Sequence, residues 1–291
     1  MTGNSTSADS SATNAHDPRP IGVFDSGVGG LSVWREIRRQ LPTEATLYFA
    51  DQAHVPYGPR KLEEIRDYCE TISRYLLDQG CKAIVVACNT ASAAALKHLR
   101  ECFPGEITIG MEPAVKPAAA VTKSGVIGIM ATEATFQGRL FLATAGRHAH
   151  DRQLINQVCH GLADHIETGN LQGQALDHLL MGFLQPMLDA GADTVVLACT
   201  HYPFVLPSIR RLCGDNVEVI DPAPAIARYL AHQLRINNRL NLDNDNAAHQ
   251  FITTSDASRF EATATALVGD LPGPVTALRW QESGFKLLAE A

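Results

Sequence analysis

Two stretches, Ile84 to Ala87 and Val195 to Ala198, are short unbroken apolar runs, each entered through a Gly-containing turn and left through a cysteine and polar residues. A run of this length without polar alternation is the pattern of a strand covered on both faces, as in a parallel sheet. Ile21-Gly-Val-Phe-Asp-Ser26 and Ile127-Gly-Ile-Met-Ala-Thr132 read in the same way, and Thr46 to Ala50 predicts a further strand. Helices are predicted over Leu31 to Leu41, Lys61 to Gln79 and Ala91 to Cys102. Strands alternating with helices imply an α/β fold built on parallel sheets.

The strands also repeat. Gln79-Gly-Cys-Lys-Ala-Ile-Val-Val-Ala-Cys-Asn-Thr90 matches Ala190-Gly-Ala-Asp-Thr-Val-Val-Leu-Ala-Cys-Thr-His201, Ile21 to Ser26 matches Ile127 to Thr132, and Met111-Glu-Pro-Ala114 loosely matches Ile220-Asp-Pro-Ala223. Ile21, Cys88 and Met111 precede Ile127, Cys199 and Ile220 by 106, 111 and 109 residues, so three landmarks recur in order at nearly constant spacing. This predicts two pseudosymmetric α/β halves with a cleft between them. The expected division is a polar tail over 1–19, a first domain over 20–111 plus 223–291, and a second over 112–222. The proline segments near Pro113 and Pro222 would cross between the halves.

Composition narrows the function classes. A net charge of −7 and no Lys/Arg cluster argue against nucleic acid as a partner. No apolar run approaches the roughly 20 residues that span a bilayer, and the polar start lacks the pattern of a secretory signal, so a soluble, cytoplasmic protein is expected. Seven cysteines without a Cys-x-x-Cys pair fit neither a disulfide framework nor a zinc site and point to a reducing compartment. The paired histidines, His148 with His150 and His160 with His165, lack metalloprotease spacing and are read as a polar helical face; no metal is expected.

In open α/β sheets ligands bind beyond the carboxyl ends of the strands, which directs attention to Asp25, Ser26, Cys88, Asn89, Thr90, Thr132, Cys199, Thr200 and His201. Inverting a carbon centre needs one base on each face, and two pseudosymmetric cysteines supply that equipment. Hydrogen-bonding residues at the start of a helix suit a carboxylate, so an amino acid is a fitting ligand. Asp25-Ser-Gly-Val-Gly-Gly30 reads as a phosphate or carboxylate cradle without dinucleotide or P-loop spacing, and Asp25 alone reads equally as a helix N-cap. Tyr57 and Gly58 lie in a Pro- and Gly-punctuated loop that can reach over a cleft or serve as a surface turn.

The motifs Asp25-Ser-Gly-Val-Gly-Gly30, Val55-Pro-Tyr-Gly58, Ala87-Cys-Asn-Thr90 and Ala198-Cys-Thr-His-Tyr-Pro203 together resemble those of glutamate racemases, within the aspartate/glutamate racemase superfamily, from about Ile21 onward. The resemblance implies cofactor-independent interconversion of L- and D-glutamate for peptidoglycan synthesis in a bacterial cytoplasm, with no pyridoxal phosphate and no metal. It implies that Cys88 takes the proton from D-glutamate and Cys199 from L-glutamate. Asp25 would tune Cys88, and His201, supported by Glu167, would tune Cys199. Asp25, Ser26, Tyr57, Gly58, Asn89, Thr90, Thr200 and His201 would hold the substrate, and a homodimer is the expected assembly. The sequence departs from the family pattern at His160 and Asp164, where prolines are usual, and at Ala134, where glycine is usual.

Three other readings fit parts of this residue pattern. A racemase for aspartate or another acidic amino acid keeps both thiols and changes only the side-chain pocket. A Cys-His hydrolase uses Cys199 with His201 and does not need Cys88. A non-catalytic binding protein on a duplicated scaffold would hold an amino acid without exchanging its α-proton.

Overall fold

Eleven strands form two sheets in the computed structural model, which describes residues 16–243, 247–281 and 284–287. In chain order they are β1 (Ile21–Asp25), β2 (Thr46–Ala50), β3 (Ala83–Val86), β4 (Ile107–Gly110), β5 (Val126–Ala131), β6 (Gln153–Val158), β7 (Thr194–Ala198), β8 (Glu218–Ile220), β9 (His249–Thr253), β10 (Val275–Gln281) and β11 (Gly284–Leu287). The first sheet has the order β11-β10-β9-β2-β1-β3-β4 and the second β6-β5-β7-β8. All neighbours run parallel except the β10–β11 pair. The blocks β2-β1-β3-β4 and β6-β5-β7-β8 are wound identically, so the sequence repeat is a repeat of topology. Of the tail expected over 1–19, residues 1–15 lie outside the described residues.

The chain leaves the first sheet after β4 through Met111–Ala114, builds the second sheet, and returns after β8 through Asp221-Pro222 and the helix Ala223–Ile236. Strand alternation then sorts the cores. Val23, Tyr48 and Val85 face one side of the first sheet and join a continuous cluster with Met130, Val195 and Leu197 of the second. The opposite face of the first sheet, Phe24, Phe49, Ile84 and Val86, packs on Ile65, Cys69, Ile72 and Leu76 of the helix Leu62–Asp78. The outer face of the second, Ile127, Ile129, Val196 and Ala198, packs on Val115, Ala118 and Phe141. Because β1, β2, β3 and β7 are buried along their whole length, their unbroken apolar sequences follow from having no solvent face.

Two local expectations are corrected. The helix expected from Ala91 begins at Asn89, because the extended Cys88 is its N-cap and its Sγ accepts from the Ala91 N–H at 3.4 Å. Asn89 and Thr90 are therefore the first helical residues, whose N–H groups have no partner within the helix. Asp25 is no N-cap: Gly30 precedes the helix Leu31–Gln40, without a side-chain cap. No helix among the described residues is long and apolar enough to cross a membrane.

Candidate active site

In both sheets the chain winds outward in opposite directions from a central pair of strands, β1 and β3 in one and β5 and β7 in the other. Such a switch point opens a crevice beyond the carboxyl ends of the strands. Asp25 ends β1, Cys88 follows β3, Thr132 follows β5 and Cys199 follows β7, so both crevices carry the residues singled out in the sequence.

The two crevices are stitched to each other. Thr200 Oγ1 donates to Asp25 Oδ2 at 2.8 Å, and the Ser32 hydroxyl donates to the Thr200 carbonyl at 2.8 Å. On the other side the Thr90 and Thr132 hydroxyls lie 2.8 Å apart, with Thr132 a further 2.9 Å from Thr135 Oγ1. Glu167 Oε1 accepts from the Val28 N–H at 2.9 Å, and its Oε2 accepts from Gln52 at 3.3 Å. These contacts account for the glycines of the Asp25–Gly30 loop. A Cβ on Gly27 would strike the Glu167 carboxylate, and one on Gly29 would strike the His201 ring and the Thr200 hydroxyl. Gly27 and Gly29 thus let side chains of the other half approach the loop backbone, while Gly30 is closed in by Asp25, Tyr48 and the Ala87 carbonyl of its own half.

Around Cys199 the groups form a relay. Its Sγ lies 3.7 Å from His201 Nδ1, and His201 Nε2 lies 2.7 Å from Glu167 Oε1. Burial alone would lower the His201 pKa, but Cys199 and Glu167 hold it well above the usual imidazole range. Burial would raise Glu167, yet the hydrogen bond and charge of His201, with the Val28 N–H, keep it below the usual carboxylate range. Glu167 and His201 thus form an ion pair directed at one sulfur.

Cys88 stands in a different field. Burial, and after it the Asp25 carboxylate, pushes the Cys88 thiol well above its ordinary range, against the pull of the Ala91 N–H; charge on Cys199 acts in the same upward direction. Burial also raises Asp25, opposed by His201, Thr200, Ser26 and the Gly27 N–H. Asp25 Oδ1 accepts from Ser26 Oγ at 2.9 Å and from the Gly27 N–H at 3.1 Å. Both thiols are nearly out of solvent, with Cys88 5% and Cys199 7% exposed.

The remaining candidates divide by their partners. Asn89 is buried with neither side-chain amide atom partnered among the described residues, which leaves a donor and an acceptor available beside Cys88. A Cβ on Gly58 would lie 3.3 Å from the Thr132 side chain, so the Pro-Tyr-Gly loop reaches the second half. Tyr57 is no surface residue: it is 1% exposed and its hydroxyl donates to Asp51 Oδ2 at 2.7 Å. Sequence reasoning did not single out Asp51, Gln52 or Ser32. Asp51 follows β2 as Asp25 ends β1, and that shared position at a strand end was the available signal. A cavity of about 650 Å³ lies elsewhere, between the crossing segments near Pro113 and Pro222, and is lined by neither cysteine.

The comparisons with known proteins bear on this geometry. The family model described as Asp/Glu/Hydantoin racemase matches residues 21–230. A glutamate racemase of Ectopseudomonas mendocina (strain ymp) is 48% identical over 251 residues, 86% of this chain and 95% of that protein. A glutamate racemase isoform of Bacillus anthracis superposes with a TM-score of 0.83 at 34% identity, covering 92% of this chain and 100% of the other. The glutamate racemase of Francisella tularensis, solved with D-glutamate, gives a TM-score of 0.80 at 28% identity over 90% of this chain and 97% of its own.

Proposed function

From the chain's membership of the Asp/Glu/hydantoin racemase family, in which it belongs with the glutamate racemases, we propose that it interconverts L- and D-glutamate by proton transfer through Cys88 and Cys199. The observation that carries the two-thiol reading is the pair of unequal settings in one linked constellation: Cys199 faces the His201–Glu167 ion pair, while Cys88 is held as a thiol by burial and Asp25. A base on one face of the α-carbon and an acid on the other are what one direction of racemisation requires. L-glutamate loses its α-proton to the Cys199 sulfur, whose own proton has passed to His201. Cys88 delivers a proton to the opposite face, and D-glutamate forms. In the reverse direction Asp25 takes the Cys88 proton, so that Cys88 becomes the base.

Substrate binding follows from the same groups. The helix that starts at Asn89 presents unpaired N–H groups and a positive dipole end to the α-carboxylate, and the unpartnered Asn89 amide adds a donor and an acceptor. Thr90, Thr200, Ser26 and the backbone at Gly58 line the same approach, with Tyr57 holding its loop in place through Asp51. Excluding water matters here, because an α-proton next to a carboxylate is weakly acidic and fixed donors stabilise the developing charge better than solvent does. The first domain is read as 20–111 plus 223–291 and the second as 112–222. The enzyme is read as a cytoplasmic homodimer supplying D-glutamate for peptidoglycan.

The test is α-hydrogen exchange in deuterated water with each cysteine changed separately. Cys88→Ser and Cys199→Ser should each abolish net racemisation while retaining exchange from one enantiomer, D-glutamate for Cys199→Ser and L-glutamate for Cys88→Ser. Full racemisation by Cys88→Ser would instead support a chemistry based on Cys199 alone. Faster exchange with aspartate than with glutamate would move the substrate assignment to the aspartate branch.

A further inference from the structure

At the far end of the helix that carries Cys88, Asn89 and Thr90, a second cluster of chemically active side chains has no part in the reaction above. His98 and Cys102, one helical turn apart in Asn89–Cys102, converge on Glu70 of the neighbouring helix Leu62–Asp78. His98 Nε2 lies 2.7 Å from Glu70 Oε2, the Cys102 Sγ lies 3.4 Å from His98 Nε2, and the Cys102 thiol donates to Glu70 Oε2 at 3.7 Å. Imidazole nitrogen, sulfur and carboxylate oxygen all lie within 4.8 Å of one another.

The geometry points to a site for a single divalent transition-metal ion of the zinc type, held by Glu70, His98 and Cys102. A tetrahedral ion with a Zn–S bond of about 2.3 Å and a Zn–N bond of about 2.0 Å sets sulfur and nitrogen roughly 3.5 Å apart. The Cys102 Sγ lies 3.4 Å from His98 Nε2, 3.7 Å from Glu70 Oε2 and 3.8 Å from His98 Nδ1, so the donor spacing suits one ion while the sulfur stands beside the imidazole ring and not ahead of Nε2. On binding, the His98–Glu70 pair must widen by roughly half an ångström and the His98 ring must turn so that Nε2 faces an ion shared with the sulfur. The mixed nitrogen, sulfur and oxygen set favours zinc, cobalt or nickel over the hard ions calcium and magnesium. Arg74 holds the other Glu70 oxygen, Oε1, at 2.9 Å, so the carboxylate is oriented for coordination through Oε2. Three protein ligands leave a position for water, and all three side chains are partly exposed, which gives the ion an entry path.

On binding, the ion forms bonds to sulfur, nitrogen and oxygen; the Cys102 thiol proton leaves to solvent, and the proton shared by His98 Nε2 and Glu70 moves to His98 Nδ1 or leaves with it, so affinity falls as pH falls. The ion would tie the helix Leu62–Asp78 to the C-terminal end of the helix whose N-terminus holds the catalytic machinery. Stabilisation of that pair is the expected result, with no step of the proton transfer passing through the metal.

Cobalt(II) is the probe, titrated into the full chain with Cys88 and Cys199 both changed to Ala so that the buried thiols cannot compete. The expected result is one equivalent bound, with thiolate-to-cobalt charge-transfer absorption and tetrahedral visible bands. Both signatures should be lost in a further Cys102→Ser change, and affinity should fall at least about tenfold in His98→Ala and in Glu70→Gln. Zinc at a hundredfold excess over its Kd should raise the melting temperature by about 5 °C in the unsubstituted cluster, and not in Cys102→Ser. A charge-transfer band that survives Cys102→Ser, or none in the chain with the cluster intact, overturns the assignment. These readouts are independent of racemisation, so the reaction assigned above stands or falls separately.

Discussion

Glu167 shows most clearly how one residue acquires its meaning. It is the last residue of the helix Leu162–Glu167, where a surface role would be ordinary, yet it is bound to His201, the Val28 N–H and Gln52. Its effect on pH dependence has a definite sign. A carboxylate lowered in the fold adds stability above its unfolded pKa of about 4.3 and loses it as pH falls through the folded value. A histidine raised in the fold adds stability below about 6.5 and loses it as pH rises through its folded value. Glu167→Gln should therefore lower stability between the two folded values, abolish the loss on the acid side, and bring the alkaline-side loss to lower pH as the His201 titration moves downward. Proton abstraction from L-glutamate should fall by up to about 10²-fold while exchange from D-glutamate falls much less, measured as directional exchange rates across pH. Equal loss in both directions would remove Glu167 from the Cys199 side.

At the scale of elements, Asp51 joins parts of the chain far apart in sequence. Its carboxylate accepts from Tyr57 at 2.7 Å, from Thr254 at 2.9 Å and from Trp280 Nε1 at 2.6 Å, and it pairs with His54 at 2.9 Å. The carboxyl end of β2, the loop bearing Gly58, and the strands β9 and β10 are thereby fixed to one buried carboxyl group. Asp51→Ala leaves these donors unpaired and should cost about 3 kcal/mol or more in urea denaturation. It should also raise KM, because the Tyr57–Gly58 loop loses its anchor. Stability within about 0.5 kcal/mol of the parent would show that water replaces the carboxylate at little cost. The metal-binding cluster belongs to this scale too: its i, i+4 pair is visible in the helix, but its third ligand comes from a neighbouring helix.

Across the whole molecule, two hydrogen-bonded bridges, Asp25 with Thr200 and Thr90 with Thr132, join the crevices of the two sheets. If both serve one closed arrangement, breaking either should weaken the other. Thr90→Val and Thr200→Val should each lower kcat/KM, and the double variant should lose less than the product of the single losses, a coupling measurable in a double-mutant cycle. Strict additivity would mean that the two sides of the cleft close independently.

Much of this architecture was legible in the residues. The fully buried strands announced themselves as unbroken Val/Ile runs, and the matching Ala-Cys turns revealed the duplication, because identical winding demands the same apolar strand and the same polar exit twice. β6 gave no such signal: as an outer strand it is only partly buried, and its Gln-Leu-Ile-Asn-Gln-Val sequence carries no continuous apolar run. The sequence by itself determined that the candidate side chains stand at strand ends, since that depends on local pattern. Only the tertiary structure decided that His201 meets Glu167, that Asp25 is shared between Thr200 and the field at Cys88, and that Gly27 and Gly29 are small to admit the other half. Those outcomes depend on contacts between segments 34 to 175 residues apart, whose distances no local periodicity encodes.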